Sequence, residues 1–419
     1  MPATSPSRAV ATAPGSQPAV DPGLRTIRVG LVGCGAFARF SMTHYRRLPG
    51  VEVQAVADVD PAAARRAAEE LHAEARPAAA LVASADIDLV YIATPPATHH
   101  PLAAAALRAG KHALVEKPLA TTLADAEDLE SLAARRGLVC VANLVERYNP
   151  LAHAVHRIIE SRILGGLVHG LFMNDAADEG LAPGHWFWDR AASGGIFVEH
   201  GVHFFDLVAS WLGAGTVVAA TRSTRPAGQA GGGSAAEEEQ VACTCRYQLN
   251  HHRGPSRPAR SESPADRHAG VLFHFEHGFH QPSRMDRQEM RLVFERGELR
   301  LFDWVPTHGQ VRAVVDDEAA EALAAMLPRS SSRTLDRYDG SARHVRGRFR
   351  DFEADALVEI TFSLGLEKLQ LYGEVVAALA ADQLARMRDP THVRQLTEAD
   401  SVATVALACD ADRLALAAD

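Results

Sequence analysis

The sequence predicts an α/β protein: an N-terminal doubly wound parallel sheet, followed by an α+β domain with a large, mostly antiparallel open sheet. Between about residues 26 and 142, short apolar, β-branched runs alternate with Ala-rich helical stretches. That alternation is typical of a parallel sheet covered by helices on both faces. After about residue 143, strand-like runs follow one another with hairpin spacing, which indicates antiparallel pairing.

The first region contains five candidate strands and four candidate helices. The strands are predicted at 27–32, 51–57, 89–94, 112–115 and 139–142, and the helices at 37–48, 62–74, 102–109 and 123–136. The strands are largely apolar, as expected for strands that are buried on both faces.

The second region is predicted to begin with a helix at 150–160, a strand at 168–174 and an apolar helix at 194–211. Further strands are predicted at 216–220, 240–248, 271–276, 289–294 and 299–304. A closing helix after Leu396 starts with Thr397 and Asp400, the two side chains of a capping box. We therefore expect domains at 25–145 and 146–419, with the closing helix, about 397–417, packed back on the first domain.

Composition narrows the class of protein and its partners. The 419-residue length allows two domains with a sizeable core in each, and 47% of the residues are hydrophobic. A net charge of -9 offers no basic field for nucleic acid, and no apolar run is long enough to span a membrane. The five cysteines are odd in number and form no CxxC pair, which indicates neither a disulfide framework nor a zinc site and favours a cytoplasmic location.

Several segments have the composition of loops or tails. Residues 1–24 are rich in Ala, Pro and Ser without the apolar core of a signal peptide, so a disordered tail is expected. The segments 225–239 and 251–268 are rich in Gly, Pro, Ser and charge, and 329–346 is similar. These three segments are predicted to be mobile loops.

A glycine-rich turn follows the first strand directly and opens the first helix, and its residues include Gly33, Gly35, Ala36, Phe37 and Ala38. Gly33 allows the tight turn, Gly35 lets the backbone approach a pyrophosphate, and Ala38 lets helix and strand pack closely. The helix N-terminus supplies N–H groups to the phosphates. An ordinary strand–turn–helix has the same pattern, so the prediction of a dinucleotide site also uses the acidic residue that ends the second strand.

That acidic residue is Asp58, which stands where a ribose-binding carboxylate is expected. It would accept hydrogen bonds from ribose hydroxyls and repel a 2′-phosphate, so NAD is favoured over NADP. Capping of the next helix is the alternative role, which Asp60 fills equally well. Further cofactor contacts are predicted where the next two strands end, at Thr94, Pro95, His99, Glu116 and Lys117. Exposed loop positions are the alternative for Thr94 and His99.

Lys117 lies between Glu116 and Pro118 at the end of the fourth strand. Because a residue before proline is held extended, the direction of the lysine is fixed. An ammonium beside a nucleotide site can stabilise the negative oxygen that forms when an alcohol is oxidised. The alternative is a solvated surface charge.

Three ionisable residues lie along one stripe of the apolar helix predicted at 194–211. Glu199 and His203 are four residues apart and so share one helix face, and Asp206 lies close to it. His203 is predicted to be the general base, with Glu199 or Asp206 orienting it or binding a substrate hydroxyl. A core histidine paired with a carboxylate is the alternative. A metal site is disfavoured because His200 points away from the other two side chains, so no metal is predicted.

At these positions the chain resembles the Gfo/Idh/MocA family, named for glucose–fructose oxidoreductase and inositol dehydrogenase. The matching motifs run in family order: GCGAFA at Gly33, ATPPATHH at Ala93, AGKHALVEKPLA at Ala109, ERYNP at Glu146 and SGGIFVEHGVHFFD at Ser193. The resemblance implies a Rossmann domain and a C-terminal α/β domain whose open sheet forms homodimers or homotetramers. It also implies hydride transfer between NAD(P) and a carbon of a sugar, amino-sugar or cyclitol.

By position, the resemblance makes Lys117 the motif lysine and His203 the acid/base histidine, and it places Arg147 at a basic, substrate-binding position. The usual aspartate four residues before the histidine is Glu199 here, and the first glycine of the usual triplet is Ser193. The added methylene of Glu199 leaves open the substrate and the group that shares a proton with His203.

The resulting hypothesis places a polyhydroxylated ring between Lys117, Glu199 and His203. Trp186, Trp188 and Asp189 are predicted to wall this pocket, with a hydrophobic mini-core as the alternative for the tryptophans. Two other functions stay open: an enzyme that recycles NAD during epimerisation, elimination or glycoside cleavage, and an NAD-binding regulator without catalysis.

Overall fold

The computed structural model describes residues 24–178, 180–182, 184–225, 237–248, 270–347 and 350–418. Apart from Leu24, the predicted tail lies outside the described residues. The predicted loop at 251–268 and most of the one at 225–239 also lie outside them.

The first sheet is formed by six parallel strands, which confirms the doubly wound class. In chain order they are β1 (Ile27–Val32), β2 (Val51–Ala57), β3 (Glu74–Ala75), β4 (Leu89–Ile92), β5 (His112–Val115) and β6 (Cys140–Ala142). Their spatial order is β3-β2-β1-β4-β5-β6, so the winding direction reverses between β1 and β4. In open α/β sheets, ligands bind at the carboxyl ends of the strands beside such a reversal.

Helices cover this sheet and begin and end at capping residues. They are α1 (Ala36–Tyr45), α2 (Pro61–Leu71), α3 (Ala78–Ala83), α4 (His99–Arg108) and α5 (Leu123–Arg136). Asp60 caps α2 by accepting from the Ala62 amide, and Thr122 caps α5 by accepting from the Asp125 amide. The helix α5 ends at Gly137, which has a left-handed conformation.

The second sheet has nine strands and is mostly antiparallel, as predicted. Its strands are β7 (Leu167–Asp175), β8 (Gly215–Arg225), β9 (Glu237–Tyr247), β10 (Val271–Gly278), β11 (Arg287–Phe294), β12 (Gly297–Phe302), β13 (His308–Val315), β14 (Ser331–Arg337) and β17 (Ala356–Ser363). Between β14 and β17, the strands β15 (His344–Gly347) and β16 (Arg350–Glu353) pair only with each other. The spatial order is β14-β17-β13-β12-β11-β7-β10-β9-β8, and β7 pairs with β10 in parallel. Edge strand β14 corrects the prediction of a loop over 329–346.

The helices of the second half are α6 (Pro150–Ser161), α7 (Arg190–Ser193), α8 (Val202–Leu212), α9 (Asp317–Met326), α10 (Lys368–Arg388) and α11 (Glu398–Ala417). The single helix predicted at 194–211 is wrong at its start. Gly194 and Gly195 both have φ of +88° and end α7, and a π-helical turn, Phe197–Gly201, leads into α8.

Two C-terminal helices hold the halves of the molecule together. The Glu398 and Ser401 side chains of α11 accept hydrogen bonds from the Cys140 and Ala142 amides at the open edge of β6, at 3.1 and 3.2 Å. The helix α10 packs on α1. As a result, the carboxyl ends of the parallel strands face the start of α8. Among the described helices, none combines the length and the apolar character needed to cross a bilayer.

Candidate functional site

A lysine from the first sheet meets a carboxylate from the second half at the carboxyl edge of the parallel strands. Lys117, two residues after β5, donates from Nζ to the main-chain oxygen of Glu199 at 2.9 Å and forms an ion pair with its carboxylate. The Lys117 side chain is 20% exposed and that of Glu199 is 5% exposed. The pair is therefore largely desolvated, and the lysine keeps partial contact with solvent. The other carboxylate oxygen, Oε2, has no hydrogen-bond partner among the described residues.

His203 lies in the first turn of α8 and is 4% exposed. Burial lowers its pKa well below the ordinary value, and the charge of Lys117 and the neighbouring His277 lower it further. The ring is therefore uncharged at neutral pH, the state that can accept a proton. Its Nδ1 is buried, and no described residue hydrogen-bonds to it.

The contact between Glu199 and Lys117 differs from the arrangement expected from helix spacing. Glu199 lies inside the π-helical turn, whereas His203 belongs to the α-helix that follows. That the Glu199 and His203 side chains share one helix face stays a prediction. The Glu199 carboxylate pairs with Lys117, and its extra methylene extends its reach.

Asp206 is occupied by a different partner. The Arg147 guanidinium binds both of its oxygens, with Nε 2.8 Å from Oδ2, and also donates to the main-chain oxygen of Gln395 at 2.5 Å. Asp400 completes the surroundings of the arginine at 3.5 Å. These contacts join the turn after β6 to α8 and to the segment before α11. The Arg147 guanidinium is engaged in these contacts, and its substrate-binding role stays a prediction.

The glycine turn has the shape that a dinucleotide requires. A Cβ on Gly33, whose φ is +93°, would lie 2.2 Å from the Ala93 carbonyl oxygen, so only glycine fits. A Cβ on Gly35 would meet nothing within 4 Å, which leaves open space over the turn where α1 begins at Ala36. Phe37 and Ala38 continue that first helical turn, and Ala38 is buried against the sheet. The open N-terminus of α1 thus fits a pyrophosphate.

Asp58 follows β2, and its carboxylate is hydrogen-bonded to the main chain of the glycine turn. Its Oδ2 accepts from the Cys34 amide at 2.7 Å and its Oδ1 from the Asp60 amide at 2.8 Å. Each carboxylate oxygen keeps a second lone pair, which suits ribose hydroxyls. The helix-capping alternative is filled by Asp60.

His99 joins the two loops that follow β4 and β5. It is fully buried, with Nδ1 2.7 Å from the Pro118 oxygen and Nε2 2.8 Å from the Thr94 oxygen. Burial lowers its pKa to about 4. The uncharged ring donates to one of these carbonyl oxygens and packs against the other, so it lies between the Thr94–Pro95 and Lys117–Pro118 segments. A direct contact with a cofactor stays a prediction for these residues.

Glu116 turns away from its neighbour Lys117. Its carboxyl accepts from Asn143 Nδ2 at 2.8 Å and from the Tyr91 hydroxyl, and burial raises its pKa. These contacts connect β4, β5 and the segment after β6. The cofactor contact predicted for Glu116 stays a prediction.

Trp188 and Asp189 lie on the loop before α7. The Trp188 ring packs edge-on against Phe187 at 4.6 Å and Phe279 at 5.9 Å between centroids. Asp189 caps α7 by accepting from the Ala191 amide at 2.9 Å. The aromatic rings thus form a local cluster, and substrate contacts by Trp188 and Asp189 stay predictions.

Three residues near the reactive group were not predicted from the sequence. The Trp304 ring lies 5.7 Å from the His203 ring and 5.0 Å from that of Tyr372. His277, at the end of β10, is hydrogen-bonded to His200. No local motif marks Trp304 or His277, since pairing of distant strands places them beside α8. His200 was predicted to point away from Glu199 and His203; its hydrogen-bond partner is His277, and its ring centroid lies 6.4 Å from that of His203.

Comparison with protein families matches both halves of the chain. Residues 27–144 match the family model described as "Oxidoreductase family, NAD-binding Rossmann fold", and residues 152–300 match that of the GFO/IDH/MocA C-terminal domain. Together the two models span most of the chain, with the whole first sheet and strands β7 to β11 of the second.

Curated relatives match over shorter segments. A glycosyl hydrolase family 109 protein of Shewanella amazonensis is 34% identical over 164 residues, 36% of each chain. A dTDP-3,4-didehydro-2,6-dideoxy-alpha-D-glucose 3-reductase of Streptomyces antibioticus is 39% identical over 153 residues, 36% of this chain and 45% of the relative. The chain therefore spans less than half the length of these two relatives.

Solved structures share the whole fold at low identity. Levoglucosan dehydrogenase in complex with NADH and levoglucosan has a TM-score of 0.71 at 20% identity, covering 94% of this chain and 98% of its own. GenD2 from gentamicin A biosynthesis, in complex with NAD, has a TM-score of 0.67 at 20% identity, covering 97% and 98%. At this identity the likeness establishes the arrangement of the two sheets.

Proposed function

The chain belongs to the Gfo/Idh/MocA oxidoreductase family and has its NAD-binding Rossmann domain, and we propose that it transfers a hydride between NAD and a carbinol or ketone carbon of a sugar, amino-sugar or cyclitol. One observation carries this proposal: Lys117, at the carboxyl edge of the NAD-binding sheet, contacts Glu199 of the second half. The contact brings a cation and a carboxylate together beside an uncharged buried histidine, and these are the groups that alcohol oxidation needs.

The cofactor would be held by the first domain. In the proposal, the Gly33–Ala38 turn and the N-terminus of α1 bind the pyrophosphate, and Asp58 binds the adenosine ribose. NAD is favoured over NADP because a 2′-phosphate would approach the Asp58 carboxylate. When bound, NAD supplies the nicotinamide that accepts or releases the hydride.

The chain's own residues manage the proton and the charge. In the oxidative direction, His203 takes the proton of the substrate hydroxyl, and its depressed pKa keeps it free to do so. The Lys117 ammonium donates to the same oxygen and stabilises the negative charge that develops on it before the carbonyl is complete. Glu199 anchors Lys117 through one oxygen and offers Oε2 to a neighbouring substrate hydroxyl. In the reductive direction, the protonated His203 returns the proton.

A substrate screen with a lysine variant tests the proposal. Purified protein is mixed with sugars, amino-sugars, inositols and keto-sugars and with NAD or NADH, and absorbance of NADH is followed. We expect turnover of at least one compound, and loss of most of it in Lys117→Met with unchanged affinity for NADH in a fluorescence titration. Lys111→Met, six residues earlier and before β5, is the matched control. Undiminished turnover by Lys117→Met would refute the assignment.

A second function is favoured by one finding, the similarity to glycosyl hydrolase family 109 proteins. In this alternative, NAD is reduced and reoxidised within one cycle and a glycosidic bond is cleaved. Product formation from a glycoside without net formation of NADH would support it. Stoichiometric NADH would support the dehydrogenase.

We further propose that the protein forms homodimers or homotetramers through the nine-stranded sheet and acts in the cytoplasm. Alternating buried and partly exposed residues along β10 and β13 leave one sheet face less covered than the other, and all five cysteines are free thiols. Light scattering during size exclusion tests the assembly. A monomer at micromolar concentration would contradict it.

A further inference from the structure

The residue after Glu199 is a histidine that contacts a second, deeply buried histidine. His200 Nδ1 lies 3.1 Å from His277 Nδ1, a hydrogen-bond distance. His277 is 0% exposed, whereas His200 is partly exposed. The proton transfer described above uses neither residue.

The surroundings of His277 keep its ring uncharged. The ring centroids of Phe172, Phe204 and Phe205 lie 5.5, 5.9 and 6.3 Å away, and Phe197 stands edge-on at 6.4 Å. Burial among these rings lowers the pKa of His277 to about 3. The contact between the two histidines therefore joins two neutral rings, of which one must donate and the other accept.

The unpaired nitrogen of His277 decides which ring donates. Its Nε2 is buried and has no hydrogen-bond partner among the described residues. A buried N–H without an acceptor is rarer and more costly than a buried lone pair without a donor. The proton of His277 therefore lies on Nδ1 and is donated to His200. His200 accepts at its Nδ1, so its own proton lies on Nε2.

The protonated edge of His200 is the more exposed one. Because Nδ1 is turned towards fully buried His277, the partly exposed side of the ring is the one that carries Nε2. The His203 ring is 6.4 Å away, and Phe279, which also contacts Trp188, stands edge-on at 5.3 Å. The Lys117 charge acts on the rings of both His200 and His203.

We propose that His200 is a substrate-binding residue whose Nε2–H donates to a neutral oxygen of the bound polyol, and that His277 is a positioning residue that fixes this tautomer. The inference rests on the function proposed above and specifies how its substrate is recognised. An uncharged donor at this position favours a hydroxyl, ring or carbonyl oxygen and gives no charge attraction to a carboxylate or phosphate. The adjacent oxygen of Glu199, an acceptor, would complement it on the same ligand.

Two substitutions of His200 separate the roles of its nitrogens. The amide nitrogen of Gln lies near the position of Nε2, and that of Asn near Nδ1. We expect His200→Asn to raise KM for the active sugar or cyclitol about 5- to 30-fold, the loss of one hydrogen bond, with little change in kcat. His200→Gln should stay within about 3-fold, because it keeps a donor at the right place. Affinity for NADH should be the same in all variants.

Replacement of His277 tests its positioning role through a readout other than activity. In histidine labelled with nitrogen-15, NMR should show the Nε2–H tautomer for His200 in the wild type. His277→Phe keeps the ring volume, and we expect it to yield a mixture of tautomers and a raised KM. His274→Asn, at a solvent-exposed position on the same strand, is the control and should change neither.

The outcomes distinguish this inference from the proposed function. Wild-type turnover with equal KM values for His200→Asn, His200→Gln and wild type would overturn the role of His200 and leave the oxidoreductase intact. A proton on Nδ1 of His200 would overturn the role of His277. A wild type that turns over no sugar or cyclitol would overturn the proposed function, and the inference about His200 with it.

Discussion

Two ion pairs bind the segment 199–206, Lys117 with Glu199 and Arg147 with Asp206, and their surroundings differ. The Arg147 pair is 7% and 1% exposed, and the guanidinium has further partners in Gln395 and Asp400. In the Lys117 pair the lysine is 20% exposed and one Glu199 oxygen is unpaired.

The difference fits the proposal that the Arg147 pair is structural and the Lys117 pair belongs to the active site. Buried polar groups in a folded protein are normally hydrogen-bonded, so unpaired ones need an explanation. Two of the unpaired atoms, Glu199 Oε2 and His203 Nδ1, lie four residues apart in the chain. Asp206, three residues further on, is hydrogen-bonded to Arg147. We infer that the first group is incomplete because a ligand completes it.

The largest expected effect is the loss of stability when the ion pair between Arg147 and Asp206 is broken. Arg147→Met leaves Asp206 charged and buried, which should lower the free energy of unfolding by about 3–5 kcal/mol. Lys117→Met should cost less than Arg147→Met, because Lys117 is 20% exposed and Arg147 only 7%. Urea denaturation measures both. Arg39→Met, which breaks the more exposed pair with Glu70, is the control. Equal losses for Arg147 and Lys117 would remove the distinction between the two pairs.

The next effect concerns activity. His203→Asn should lower kcat by about 10²–10⁴-fold, the contribution of a general base, without lowering stability. His169→Asn on β7 is the control.

The pH profile of wild-type kcat/KM also tests the role of His203 as general base. A base acts in its neutral form, and burial lowers the pKa of His203 from 6.5. In the oxidative direction, kcat/KM should therefore fall only below pH 6.5 as the ring gains a proton. A midpoint above 6.5 would contradict a buried histidine base.

The parts of the fold predicted well are those with strong local signals. The strands β1, β2 and β5 and the helix α5 have the predicted bounds. Buried parallel strands are nearly continuous apolar runs, and α5 begins at Thr122 and ends at Gly137, a capping residue at each end.

The parts that were missed depend on distant partners. The edge strand β14 is mostly exposed, so its polar composition resembles that of a loop. The helix α10, with 21 residues, contains Gly373, which disfavours a helix on propensity alone. A Cβ there would overlap the His44 ring of α1, so the glycine is explained only by that packing.

The candidate site shows the same division. Lys117, Glu199 and His203 were identified from motifs within single segments. The π turn, Trp304 and His277 were not, because their positions follow from glycine conformations and from strand pairing across the second sheet. Local sequence thus indicates the groups proposed to react, while tertiary structure determines how they are oriented.

A smaller effect concerns another buried carboxyl of the second half. Glu146 is 1% exposed, and neither oxygen makes a well-formed hydrogen bond within the described structure, although Asn149 is a polar neighbour. Burial raises its pKa from 4.5 to about 8. Between these values the folded chain keeps a proton that the unfolded chain has lost, so stability should fall as pH rises.

Glu146→Gln should remove that pH dependence and stabilise the protein at pH 8.5 by on the order of 2 kcal/mol relative to wild type. At pH 5 the two proteins should differ little. Urea denaturation at both pH values measures this, with exposed Glu127→Gln as the control. A gain of the same size at pH 5 and pH 8.5 would show that ionisation of Glu146 is not its cause.

The smallest expected effect tests the extra methylene of the reactive pair. Glu199→Asp restores the aspartate that the family resemblance implies and shortens the reach towards Lys117. We expect kcat/KM for the active substrate to change by about 10-fold, or about 1.4 kcal/mol, and the order of preference among sugars to change, because the unpaired oxygen moves. Stability should change by less than about 1 kcal/mol, unlike Asp206→Asn, which removes a charge from the closed Arg147 pair. If Glu199→Asp leaves every substrate unaffected, the carboxylate serves only to anchor Lys117, and the specificity of the cleft comes from elsewhere.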